Sequence, residues 1–122
     1  MKQLNLFTLL LAVMVLPGVT LKEQEPPPRL VWNPPARYDH EYAGALTIVR
    51  VPQKQVVTLC RQLFKGNRSD LVVTNTQKGC AWRYEGECTV ITIDRVYQNI
   101  QPKDVIRHET GHCNGWPSDH PD

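Results

Sequence analysis

Apolar residues fall along this chain in three rhythms, and each rhythm predicts an element. Leu4 to Leu16 is almost continuously apolar, broken by Asn5 and Thr8. Ala45 to Val51 (Ala-Leu-Thr-Ile-Val-Arg-Val) is rich in β-branched residues and predicts a strand. Pro52 stops that strand and can open a helix, where its missing N–H costs nothing. From Gln53 to Phe64, the residues Val56, Leu59, Cys60, Leu63 and Phe64 recur at helical spacing, and Gly66-Asn67 predicts the end. Leu71 to Thr74 predicts a short strand. Two strand-like runs flank Glu85-Gly86-Glu87 and predict a hairpin, the second run carrying Val90, Ile91 and Ile93. Pro102 opens a second helix over Lys103 to Cys113, which Gly115 ends and Pro117 keeps from continuing. Strand, helix, strands, helix is the order of a small α+β domain with two helices and a short β-sheet, placed here at residues 43–122.

The continuous rhythm at the start has another meaning. About 13 apolar-rich residues are too few to cross a bilayer, which takes about 20. Lys2 before the run and Gly18-Val19-Thr20 after it describe a secretory signal peptide over residues 1–20, with an uncleaved signal anchor as the alternative. That places the chain in the periplasm or outside the cell, with no membrane span once the signal is removed. Of the ten prolines, six fall between Pro17 and Pro35. Such sequence runs extended, so residues 21–42 are expected to be a Pro-rich linker, with Val31-Trp32 able to dock on the domain.

Charge narrows the partners. Lys plus Arg is 14 against 12 for Asp plus Glu, a net of +2, which does not support nucleic-acid binding. Four cysteines, in an exported chain, are expected in disulfides. Cys60, Cys80, Cys88 and Cys113 allow three full pairings. The expected set is Cys80 with Cys88, clamping the hairpin, and Cys60 with Cys113, stapling the two helices.

The chemistry lies in the second helix. His108-Glu109-Thr110-Gly111-His112 is an HExxH motif. Residues i and i+4 share a helix face, so His108 and His112 can hold one Zn²⁺ between them. Glu109 lies about 100° round the helix and can take a proton from water, as a general base for peptide hydrolysis. Gly115 lets the chain turn sharply and bring back a third ligand. His120 is the expected third ligand, with Asp119 the alternative or its orienting acceptor. Cys113 points away from His112 and is not expected to bind the metal. Trp116 is expected in the core or along a substrate groove, and Val90 to Ile93 as a strand edge beside the active helix.

The residues His108, Glu109, His112 and Gly115 resemble the HExxHxxG motif of metzincin-type zinc peptidases, and Thr110-Gly111 and Pro117 resemble its snapalysin-like branch. The stretch HETGHCNGWPSDH is also similar to small exported bacterial proteins with an HCNGWP segment. The resemblance implies a minimal zincin-like domain, a Zn²⁺ cofactor and a peptide or protein substrate bound along a sheet edge. Two departures stand out. Ser118 occupies the position where the family's third ligand belongs, and the sequence closes at Asp122 with no length for a Met-containing turn under the metal.

The sequence thus predicts an exported zinc-dependent peptidase with Glu109 as base. Its rivals are a zinc- and disulfide-stabilised binding module without turnover, and a metal-free interaction protein held by disulfides alone.

Overall fold

A computed structural model describes residues 32–68 and 70–122, together with Gly18. The signal-peptide reading of residues 1–20, Gly18 apart, and the first part of the linker lie outside the described residues. The elements run β1 (Ala45–Val51), α1 (Gln53–Asn67), β2 (Gly79–Tyr84), β3 (Glu87–Ile93) and α2 (Pro102–Cys113). This is an α+β domain with two helices and a three-stranded sheet. Among the described residues no helix is long and apolar enough to cross a membrane.

The sheet order is β1-β3-β2. β3 pairs parallel with β1 and antiparallel with β2, so the crossover from β1 to β3 passes through α1 and β2. The turn between β2 and β3 is two residues, Glu85 and Gly86, both with positive φ (48° and 80°). Two such residues make the turn whose twist matches the strands it joins. The expected edge strand is corrected here. Val90 and Ile93 are fully buried in the central strand, and β2 is the edge that faces the site. Burial from Val90 through Ile93, on both faces in turn, is that of a strand covered on both sides. Leu71 to Thr74 forms no strand. It is an irregular segment with Val73 buried and Val72 85% exposed. α1 ends at Asn67, as the Gly66-Asn67 pair predicts.

Register decides which side chains meet. Cross-strand partners share a face. Cys80 opposes Ile91, and Val49 and Val51 oppose Ile91 and Ile93. This set packs with Val56, Val57 and Cys60 of α1. Cys88 and Val90 lie on the other face, with Ala81 and Cys113 of α2. The disulfides follow the faces and correct the expected pairing: Cys60 bonds Cys80, and Cys88 bonds Cys113. Cys80 and Cys88 point to opposite sides of the sheet, so they cannot clamp the hairpin. The sheet likewise separates Cys60 from Cys113. Each bridge ties one helix to one strand, and loops of 20 and 25 residues correspond to about 3 kcal/mol of stabilisation apiece.

Residues 32–42, expected as linker, form a strap along α2. The Trp32 indole N–H donates to the Asp104 carbonyl at 3.2 Å. The Arg107 guanidinium pairs with the Asp39 carboxylate. The Asn114 amide donates to the carbonyls of Tyr38 and His40 at 2.9 and 2.6 Å. Pro34 rests on Gly111, where a Cβ would come within 2.5 Å of its ring. Residues 32–42 are thus packed against α2 together with the domain.

Candidate metal centre

α2 carries His108 and His112 one turn apart, so both imidazoles project from one face. Pro102 starts the helix and Gly115 ends it. Gly115 takes φ 100°, its N–H donates to His112, and the Trp116 N–H donates to Gly111, each at 3.0 Å. This pair of bonds is the Schellman closure that a left-handed glycine permits. It turns the chain back toward the helix. A second turn, with the His120 N–H on the Pro117 carbonyl at 3.0 Å, leaves His120 itself at φ 57°. Few non-glycine residues adopt that conformation unless their surroundings hold them there.

The result is a triangle of nitrogens. His108 Nε2 and His112 Nε2 are 3.3 Å apart, and His120 Nε2 is 3.1 Å from each. Ring hydrogen bonds set which nitrogens face inward. His108 Nδ1 donates to the Trp32 carbonyl at 2.5 Å, and His112 Nδ1 donates to the Trp116 carbonyl at 2.7 Å. A carbonyl only accepts, so each Nδ1 carries the hydrogen and each Nε2 keeps its lone pair. The His108 and His112 lone pairs repel one another at this distance unless a cation, or a hydrogen on His120 Nε2, lies between them. An ion with 2.0–2.1 Å bonds in tetrahedral geometry would space its nitrogens about 3.3 Å apart, which is the spacing found. The three histidines could therefore hold a metal ion, and among the described residues no fourth side chain joins them, which leaves one tetrahedral position. Asp119 is exposed and stands outside the cluster.

Two indoles frame the triangle. Trp32 stacks on His108 with ring centroids 4.2 Å apart, and Trp116 stacks on His112 at 5.0 Å. Trp116 is 2% exposed, and its indole N–H donates to the Pro121 carbonyl at 2.9 Å. Desolvation by these neighbours lowers the pKa of His108 to about 4, and burial lowers those of His112 and His120 as well. All three shifts favour the neutral imidazole, the form that binds metals.

Glu109 turns toward the sheet. It is buried over Gly79 of β2, where a Cβ would come within 3.3 Å of its Cγ. Burial raises its carboxyl to about 8. Glu109 and the three histidines open together into a cleft of about 620 Å³. The cleft extends from the histidine cluster along β2 to Phe64, Leu71 and Val72 on the α1 side.

Hydrogen bonding along β2 alternates. The Ile93 N–H bonds the Lys78 carbonyl at 3.1 Å, so positions 78, 80, 82 and 84 bond toward β3. The N–H and C=O groups of Ala81 and Arg83 consequently point out of the sheet. Gln77 caps the end of this edge by donating to the Gly79 carbonyl at 2.8 Å.

The structure thus brings His108, His112, His120 and Glu109 to one cleft. The strap carbonyl at Trp32, the carbonyl at Trp116 and the open edge of β2 are the parts that sequence reasoning missed. Val31-Trp32, read as able to dock on the domain, and Gly111, a small residue within the motif, were the signals that a segment lies close against the helix. No family model, no curated protein and no solved structure matches this chain.

Proposed function

We propose that the chain is an exported zinc-dependent peptidase. The observation that carries this reading is the Nε2 triangle of His108, His112 and His120, which shares a cleft with the Glu109 carboxyl. A Zn²⁺ held there would supply a Lewis acid that polarises a scissile carbonyl and acidifies a water. The residues do the rest. Trp32 and Trp116 keep two imidazoles in the tautomer that binds, as hydrogen-bonded outer partners do in metal sites. Glu109 takes the proton from water entering the cleft and hands it to the leaving amine. The outward N–H and C=O groups of Ala81 and Arg83 align an extended peptide as an added strand. The two disulfides are compatible with an extracellular protein, which supports export.

Zinc is chosen by donor type, since three neutral imidazoles with one open position match catalytic zinc sites. The test is metal analysis of the purified chain with X-ray absorption, followed by a peptide-cleavage screen. One zinc with three nitrogen ligands and one oxygen ligand is expected. Glu109→Gln should keep the metal and abolish hydrolysis, and His108→Ala should lose the metal. A Gln variant that cleaves like wild type would overturn the mechanism.

A second reading, a zinc- and disulfide-stabilised binding module, is favoured by the raised pKa of Glu109. In the metal-free chain burial raises its carboxyl to about 8, and a cation beside it would lower that value. Peptide binding without cleavage by the zinc-loaded chain would select it.

A further inference from the structure

The cleft has two walls of different chemistry, and an added strand would present alternate side chains to them. Ala81 and Arg83 face the α2 side, whereas Trp82 faces the α1 side. On the α1 side, Trp82 is joined by Phe64, Leu71 and Val72, an apolar wall whose Val72 is 85% exposed. The α2 side carries Arg83. One of its nitrogens donates to the Cys113 carbonyl at 3.1 Å, which leaves most of the guanidinium's five donors uncommitted. Among the described residues no carboxylate pairs with it, whereas the neighbouring Arg68 is held by Asp70 at 2.9 Å. Glu109 is the one carboxylate among the described residues lining the cleft, and it is buried.

We propose that Arg83 is a carboxylate receptor and that the cleft selects extended peptides in which an apolar residue adjoins an acidic one. The proposal rests on the peptidase reading above and names its substrate class. Partners across a ladder share a face. The peptide residue opposite Ala81 lies beside the metal cluster. The next residue, opposite Trp82, puts an apolar side chain against Leu71 and Val72. The one after that, opposite Arg83, places a carboxylate where the planar guanidinium can bond it with two N–H groups. An Asp or Glu thus falls two positions from the residue beside the metal, with Leu, Ile, Val or Phe between.

The experiment offers the full chain, loaded with Zn²⁺, short N-acetylated and C-amidated peptides. They carry Glu, Gln or Lys at each position in turn and Leu or Asn beside it, and kcat/KM is read by mass spectrometry. The Leu-Glu peptides should exceed their Gln counterparts by about 10-fold or more, the scale of a hydrogen bond between charged groups. Arg83→Gln should level Glu with Gln, and Arg83→Glu should favour Lys, with metal content and circular dichroism checking that both variants fold. Val72→Asp, on an exposed side chain, should erase the preference for Leu over Asn. Equal rates for Glu and Gln in the wild type, or a preference that survives Arg83→Gln, would overturn the proposal. If no peptide is cut, the peptidase reading fails, and fluorescence anisotropy with the same peptides decides this one. Tighter binding of Glu than Gln peptides, lost in Arg83→Gln, would uphold the receptor, and equal binding would overturn it.

Discussion

Three imidazole nitrogens stand within 3.3 Å of one another, close enough to share a metal ion or, without one, a hydrogen on His120 Nε2. At His108 and His112 the backbone carbonyls of Trp32 and Trp116 remove the alternative tautomer, so among these three rings only His120 can bring a hydrogen into the triangle. His120→Ala should weaken zinc binding by an order of magnitude or more, and Asp119→Ala should change it little, because only His120 stands in the triangle. Competitive chelator titration measures both. Glu109 supplies a pH test. Its carboxyl is near 8 in the folded, metal-free chain and about 4.5 when unfolded. The folded state therefore holds a proton that the unfolded state releases, and this contribution to stability is lost as pH rises from about 4.5 through 8. Glu109→Gln should raise the melting temperature of the chelated protein more at pH 8 than at pH 5. His108 acts in the opposite sense. Its lowered pKa contributes stability above about 6.5 that is lost as pH falls through 4.

At the scale of elements, the site depends on how closely α2 meets its neighbours. A Cβ on Gly79 would lie 2.4 Å from Val105 Cγ1 and 2.7 Å from the Ile91 carbonyl, so Gly79→Ala must push α2 off the sheet. A loss of about 2–4 kcal/mol is expected in denaturant melts. The two disulfides should separate in their effects. Replacing Cys60 and Cys80 together by Ala should cost about 3 kcal/mol and leave metal affinity nearly unchanged. Replacing Cys88 and Cys113 should cost a similar amount and also weaken the metal, because Cys113 follows His112 on the helix that carries the ligands. Chelator titration beside urea melts distinguishes the two. Much at this scale was legible in the sequence. Ala45–Val51 and the hairpin are where alternation and turn chemistry put them, since both signals are local. Leu71–Thr74 has the composition of a strand but no partner, and a strand exists only when another strand bonds it.

For the whole molecule, the strap makes residues far apart in sequence into one centre. Trp32 precedes His108 by 76 positions and still supplies its hydrogen-bond acceptor. Deleting residues 1–42 should leave both disulfides in place and lower metal affinity at least tenfold, as loss of an outer partner does. Isothermal titration with Zn²⁺ measures it. Metal binding in turn should stabilise the intact fold by about 4 kcal/mol at a thousandfold excess over Kd, and chelation should remove that stabilisation.

What the sequence determined by itself is whatever depends on neighbours along the chain. The helix over His108–His112 follows from spacing, the turn at Gly115 from glycine's freedom at positive φ, and the hairpin from the turn residues at Glu85-Gly86-Glu87. The tertiary structure decided everything that depends on which face a residue presents and on what packs there. Cys80 and Cys88 look like a hairpin clamp until register places them on opposite sides of the sheet. Val90–Ile93 reads as well for an edge as for a centre, because composition does not record strand order. The Pro-rich composition of residues 21–42 predicts extended chain, and what residues 32–42 contribute came from the Trp32 carbonyl and from Pro34 against Gly111. Those are backbone and shape complementarities, which side-chain identity encodes only once the chain has folded.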